Sequence, residues 1–211
     1  EPLGMVKSIA EDKDGTLFIG ARNGLYKFDG HSFQNVSIKY GLDDPHRWVM
    51  NIFIDGDDYW FGTIGAGLVH YSSGSSQNFS FTKGNLVNNG VNHILKDKRG
   101  NIWIATVGGI TLLKGDKKIH LTAQQGLSNR NIMQLSEDLT GNIWAATYGG
   151  GISRISLQSN DSIIVKILDT QNGLSSDNVY SIVTDQNGNL WAGCQNGVDK
   201  ITLDSTGNII S

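Results

Sequence analysis

Only one of the 211 residues is a cysteine and only two are prolines. A lone thiol closes no internal disulfide, so packing and hydrogen bonding, not covalent staples, must hold this chain together. No apolar run approaches the eighteen or so residues that a membrane span needs. A leader peptide is missing too, so for a secreted domain the sequence would start after the cleavage site. Basic residues are in the minority, 17 Lys and Arg against 20 Asp and Glu, and the net charge of −3 argues against nucleic acid or an anionic membrane as partner. Helical periodicity is absent from the segments between turns. Glycine is plentiful, with 27 residues, and the 38% apolar content suffices for one mid-sized all-β domain.

That glycine is distributed with a period. An aromatic residue stands at Phe18, Trp60, Trp103, Trp144 and Trp191, at intervals of 42, 43, 41 and 47 residues. Twelve residues before it come Val6, Val91, Ile132 and Val179, and nine before it Ile9, Ile94, Leu135 and Ile182. Six before it are Asp12, Asp97, Asp138 and Asp185; three before it, Gly15, Gly100, Gly141 and Gly188. A second glycine follows six residues after, at Gly24, Gly109, Gly150 and Gly197. The second unit fits with one residue fewer between Asp55 and Trp60 and one more before Leu68. A period near forty is blade-sized.

Each unit reads as four short antiparallel strands. Val179 to Thr184 is rich in β-branched residues, and Asp185-Gln186-Asn187-Gly188 has tight-turn chemistry, the Asp accepting from turn N–H groups and the Gly taking positive φ. Asn189 to Cys194 makes a second strand and Val198 to Thr202 a third. A variable fourth segment follows in the other units, at residues 32–38, 78–82, 118–122 and 163–168. The expected architecture is therefore an all-β, five-bladed β-propeller of four-stranded antiparallel blades, or part of a larger, seven-bladed one. The blades fall at about residues 5–38, 48–82, 91–122, 131–168 and 178–211 of a single domain covering residues 1–211. No N-terminal strand is available to clasp the last blade. Either five blades close by face packing, or they form an arc with apolar end faces.

The repeated aromatic suits the wedge between neighbouring blades, so Trp60, Trp103, Trp144 and Trp191 are read as packing residues. The aspartates are read as turn residues, because Asp12-Lys13-Asp14-Gly15 lacks the alternating oxygen ligands and closing Glu of a calcium loop. No metal and no cofactor is expected. Gly108-Gly109 and Gly149-Gly150-Gly151 are hairpin turns and not phosphate cradles, since no helix or Lys-Ser/Thr follows them. Cys194 occupies the slot held by Thr63, Thr106 and Thr147 and is read as a buried small residue.

The segment Gly173-Leu174-Ser175-Ser176-Asp177-Asn178-Val179, followed by Ile182, Asp185, Gly188-Asn189-Leu190-Trp191 and Gly197-Val198, resembles the two-component regulator propeller repeat. Gly126-Leu127-Ser128-Asn129-Arg130-Asn131-Ile132 through Trp144 to Gly150 is a second good copy, and the resemblance runs from about Met5 to Ile201. It implies an extracytoplasmic sensor module of a hybrid histidine kinase, detecting carbohydrate fragments in the periplasm. Its partners would be an oligosaccharide or other small ligand and the neighbouring propeller or receptor domains, with a homodimer as a further arrangement.

In an up-and-down blade, the loop leading into the first strand and the turn between the second and third emerge at the same end. Ligand contacts are therefore expected from His46, Arg47, Trp48, Asn89, Arg130, Asn131, Tyr148 and Asn178, because amides and guanidinium forks hold hydroxyls and carboxylates while an aromatic face lies against a sugar ring. The segment from Gly41 to Val49 is two residues longer than its counterparts and carries the sole Trp outside the repeated slot. Two other readings stand beside the sensor. One is a lyase or hydrolase of the virginiamycin B lyase type, with His93 as the best base; the other is a protein-interaction platform. No nucleophile elbow, metal-ligand pair or carboxylate dyad rises above the repeat, so no catalytic residue is assigned.

Overall fold

The computed structural model describes residues 3–43, 48–204 and 209–210. It is a β-propeller fold of five blades, with helix limited to three short 3-10 turns among the described residues. The chain divides into two compact units, residues 1–94 and 95–211.

The first unit holds two whole blades. Blade one is β1 (Val6–Glu11), β2 (Leu17–Ala21), β3 (Gly24–Phe28) and β4 (Phe33–Asn35); blade two is β5 (Val49–Asp55), β6 (Asp58–Thr63), β7 (Leu68–Ser72) and β8 (Ser75–Phe79). Strand β8 starts three residues earlier than the sequence pattern predicts. Ser73 and Gly74 both take positive φ, 50° and 81°, so a two-residue turn reverses the chain as soon as β7 ends. The boundary between units falls inside β9 (Val91–Lys96), the first strand of blade three.

The second unit continues with β10 (Ile102–Thr106), β11 (Gly109–Lys114) and β12 (Lys117–Leu121). Blade four is β13 (Ile132–Glu137), β14 (Ile143–Thr147), β15 (Ile152–Leu157) and β16 (Ile163–Leu168). Blade five has β17 (Val179–Thr184), β18 (Leu190–Cys194) and β19 (Gly197–Ile201), and its fourth position is marked by a bridge between Leu203 and Ile209.

Every repeated slot has a physical task. The aromatic lies on the blade face that meets the next blade. Phe18 shares a buried cluster with Val49, Ile52 and Phe61, Trp103 with Ile132, Leu135 and Ile143, and Trp144 with Val179, Ile182 and Leu190. Removing such a side chain costs roughly 3–5 kcal/mol. Trp191 departs from the packing expectation and is 39% exposed, because no following blade covers it among the described residues. Ile9 shows the converse at blade one, where it is exposed while its counterparts Ile94, Leu135 and Ile182 are buried. Two residues after the aromatic, side chains must be small. A Cβ on Gly20 would stand 2.9 Å from the Val49 carbonyl oxygen of the adjoining blade.

The aspartate slot clamps the turn and the aromatic together. Asp97 Oδ1 accepts from the N–H groups of Arg99 and Asn101, and Oδ2 from Asn101 Nδ2 and from the Trp103 indole at 2.8 Å. Asp138 repeats this with Thr140, Asn142 and Trp144, and Asp185 with Asn187, Asn189 and Trp191. In blade two the turn is one residue shorter, and Trp60 stacks instead on His70 with ring centroids 3.7 Å apart.

The first strand of a blade carries a bulge. Register slips between Val6 and Ser8, Val49 and Asn51, Ile132 and Gln134, and Val179 and Ser181. The residue after the slip reaches across to the adjoining blade: Ser8 Oγ, Asn51 Oδ1 and Gln134 Oε1 accept from the N–H groups of Ile52, Ile94 and Ile182 at 3.0, 3.1 and 3.0 Å. The skipped residue, Lys7, Met50, Met133 or Tyr180, is turned out of the ladder.

Candidate functional site

The loops leading into the first strands are built by short-range polar contacts. Two of the 3-10 turns begin with capping boxes, Thr122 with Gln125 and Asp169 with Asn172, and all three end on glycines of positive φ, Gly41, Gly126 and Gly173. The next residue, Leu42, Leu127 or Leu174, is buried and anchors the loop. Asn88 Oδ1, Asn129 Oδ1 and Ser176 Oγ then accept from the N–H two residues on, at 2.8, 2.9 and 3.1 Å. This local bonding is why Asn and Ser are frequent here.

Of the residues expected at the site, His46 and Arg47 lie outside the described residues. Trp48, in the first unit, is partly buried with the Arg22 guanidinium 5.0 Å from its ring centroid, so cation–π attraction orients both. Asn89 is committed to the fold, its side-chain oxygen accepting from Phe81 N–H at 2.6 Å and its carbonyl from Gly67 N–H at 3.0 Å.

The second unit brings the other four onto one end of blades four and five. Tyr148 forms a bridge with Asn178, and its N–H donates to the Asn131 carbonyl at 3.0 Å. Asn178 Nδ2 donates to Gln195 Oε1 at 2.5 Å, and the Gln195 N–H returns a bond to the Asn178 carbonyl at 2.9 Å. Arg130 is exposed on the loop between Asn129 and Asn131. Among the described residues no donor reaches the buried Asn131 side-chain oxygen, an acceptor that one more group would satisfy. Asp177 ties the loop down: Oδ1 accepts from Thr170 N–H, and the carbonyl from Gly149 and Gly151. Sequence reasoning missed Tyr180. Its ring lies 6.0 Å from that of Tyr148 at 51°, and both residues are about half exposed, 44% and 48%. A strand read by strict alternation hides this residue; the bulge at Val179/Ser181 turns it out.

Three histidines, His70, His93 and His120, lie within blade strands. Burial lowers the His93 imidazole to about 4, so it is neutral at pH 7. Its sequence slot is the one from which Ser8, Asn51 and Gln134 accept across blades. His70 Nε2 lies 2.8 Å from Asp58 Oδ1, and His120 Nδ1 3.1 Å from Thr111 Oγ1. Cys194 is buried as expected, with burial first and the Asp199 carboxylate second pushing its thiol up to about 11. No three His, Cys, Asp or Glu side chains are grouped to hold a metal among the described residues. No helix among them is long and apolar enough to cross a membrane.

The family model described as two component regulator propeller matches residues 85–108 and 173–196. Over these two segments the chain is similar to that repeat. Among solved structures, it superposes on the extracellular domain of a protein assigned to a hybrid two-component system of B. thetaiotaomicron, with a TM-score of 0.79 and 24% identity, covering 99% of this chain and 30% of that one. A second such extracellular domain from B. thetaiotaomicron gives 0.59 at 23% identity, covering 98% and 37%. Virginiamycin B lyase from Staphylococcus aureus gives 0.71 at 17% identity, covering 99% and 70%. The chain thus spans about a third of the length of the two extracellular domains. At these identities the likenesses carry the fold. Among curated proteins no sequence relative was found.

Proposed function

We propose that this propeller is a non-catalytic sensing module in the periplasmic part of a hybrid two-component receptor, and that it binds oligosaccharides. The repeat type and the likeness to extracellular domains of hybrid systems support the receptor context. The observation that carries ligand binding is the joining, at one end of blades four and five, of Asn131, Asn178 and Gln195 with half-exposed tyrosine rings and Arg130. Amides offer donor and acceptor side by side, as a sugar hydroxyl pair requires, and a guanidinium takes a carboxylate. In this reading the neighbouring receptor domains are the partners through which binding is passed on.

His93, the best candidate base in the sequence, is held neutral by burial and occupies the sequence slot from which Ser8, Asn51 and Gln134 bond across blades, so its place gives no support to catalysis. The test combines titration calorimetry on a glycan panel with chromatography of the same mixtures. Heat of binding with no new product is the expected result. Product formation that is abolished by His93→Ala would replace the sensor with an enzyme.

A further inference from the structure

We infer that Tyr180 and Tyr148 form a stacking subsite for a pyranose ring, with Asn178 and Gln195 at its polar edge. This rests on the oligosaccharide reading above and adds to it a residue, a geometry and a sugar class.

Tyr180 stands at the bulge of β17, where Lys7, Met50 and Met133 stand in β1, β5 and β13. A bulge re-aims the side chain it carries, and among these four only blade five places an aromatic ring there. That ring meets Tyr148 from the β14–β15 turn of blade four, centroids 6.0 Å apart and planes at 51°. The spacing is too close for a sugar to slide between the rings, so the pair acts as one bent apolar surface, half of it in water.

The backbone beside the pair is fixed. Tyr148 is held by the bridge to Asn178 and the bond to the Asn131 carbonyl. The Asn178 and Gln195 amides are bonded to each other, which leaves further donor and acceptor positions on both. Each tyrosine offers one flat apolar face with amides nearby, and such a face matches a ring whose C–H bonds point axially and whose hydroxyls lie around the rim. Gluco- and xylo-configured pyranoses have this form, with H1, H3 and H5 on one face. A furanose presents no such face.

The probes are xylotetraose, cellotetraose and, as the furanose, a β-2,6-linked fructotriose, titrated into the protein and into Tyr148→Ala, Tyr180→Ala and Tyr180→Phe. One of the pyranose probes is expected to bind, with each alanine variant weaker by about tenfold or more, the scale of losing an aromatic anchor. Tyr180→Phe should stay within about twofold, because stacking needs the ring and not the hydroxyl. In the unmodified protein, nuclear Overhauser contacts from H1, H3 and H5 to tyrosine ring protons are expected, so the outcome does not depend on the variants folding. A pyranose that binds without those contacts, or binds both alanine variants unchanged, overturns the subsite and leaves the sensor standing. Binding of the fructotriose alone does the same. Failure of every probe to bind rejects the subsite, while the sensor reading is decided by the glycan panel.

Discussion

Replacing Asp138 by Asn removes one charge and exchanges one oxygen for an NH2 of nearly the same size, so volume is conserved and the effect is electrostatic. Asp138 is 1% exposed and accepts five hydrogen bonds: Thr140 N–H at 2.9 Å, Thr140 Oγ1 at 2.7 Å, Asn142 N–H at 2.9 Å, Asn142 Nδ2 at 2.9 Å and the Trp144 indole at 2.8 Å. Asparagine keeps three at most on its oxygen, and its amide must face two N–H donors. A hydrogen bond to a charged group contributes about 1.5–3 kcal/mol, and a buried donor left alone costs about 1–3 kcal/mol. Two lost bonds, partly relieved by a shift of the turn, give an expected destabilisation of about 3–5 kcal/mol, a large fraction of the roughly 5–15 kcal/mol that a domain commonly has. Urea unfolding followed by tryptophan fluorescence measures it. Burial opposes the Asp138 charge, but the donors on Trp144, Asn142 and Thr140 together hold the carboxyl below its ordinary value. A depressed carboxyl contributes stability above the unfolded pKa of about 4 and loses it as pH falls through the folded value. The gap between the two proteins should therefore narrow below pH 4. A loss under about 1 kcal/mol, or a gap that stays constant to pH 2.5, would refute the clamp as an energetic unit.

Asp185→Asn at the matching turn should cost less than Asp138→Asn, since Trp191 is 39% exposed and water can take over for the lost acceptor; the same urea midpoints decide this. His93, lowered by burial to about 4, should titrate near that value in NMR spectra. Because its folded pKa lies below the unfolded one of about 6.5, it favours the folded state above pH 6.5, and this advantage fades as pH falls towards 4; His93→Gln should flatten that part of the melting profile. Gly109→Ala should destabilise more than Gly197→Ala. Both glycines have positive φ, 133° and 146°, but only at Gly109 would the new Cβ meet a carbonyl oxygen, that of Leu121, and thermal unfolding reports the difference. Cys194, pushed up to about 11 by burial and by the Asp199 carboxylate, should resist iodoacetamide at pH 8 in the folded protein and react promptly in urea.

Much of the fold is legible because a repeat multiplies each weak local signal. Asp-x-x-Gly-Asn-x-Trp announces a turn and a packing residue in one copy, and its recurrence fixes the period and the antiparallel order of the strands. The 3-10 turns were equally present as Thr122 to Gln125 and Asp169 to Asn172, capping boxes that a search for strands passes over. The link from aspartate to indole was not legible, because two residues six apart in sequence meet only when a hairpin folds one over the other. Of the expected site, Tyr148, Asn131 and Asn178 lie together as loop order requires, whereas Asn89 is turned to the backbone of Phe81, a contact eight residues away that composition does not encode.

The amino-acid order by itself determined the blade, since turn chemistry and side-chain alternation act within a few residues and leave the strands one pairing. Tertiary structure alone decided which side chains reach water. Trp144 and Trp191 occupy the same slot, and one is buried because an adjoining blade lies on it while the other is not. Tyr180 is turned out of the ladder beside Tyr148 because a bulge changes the direction of a side chain, and that depends on how two strands pair, not on the residues of either strand.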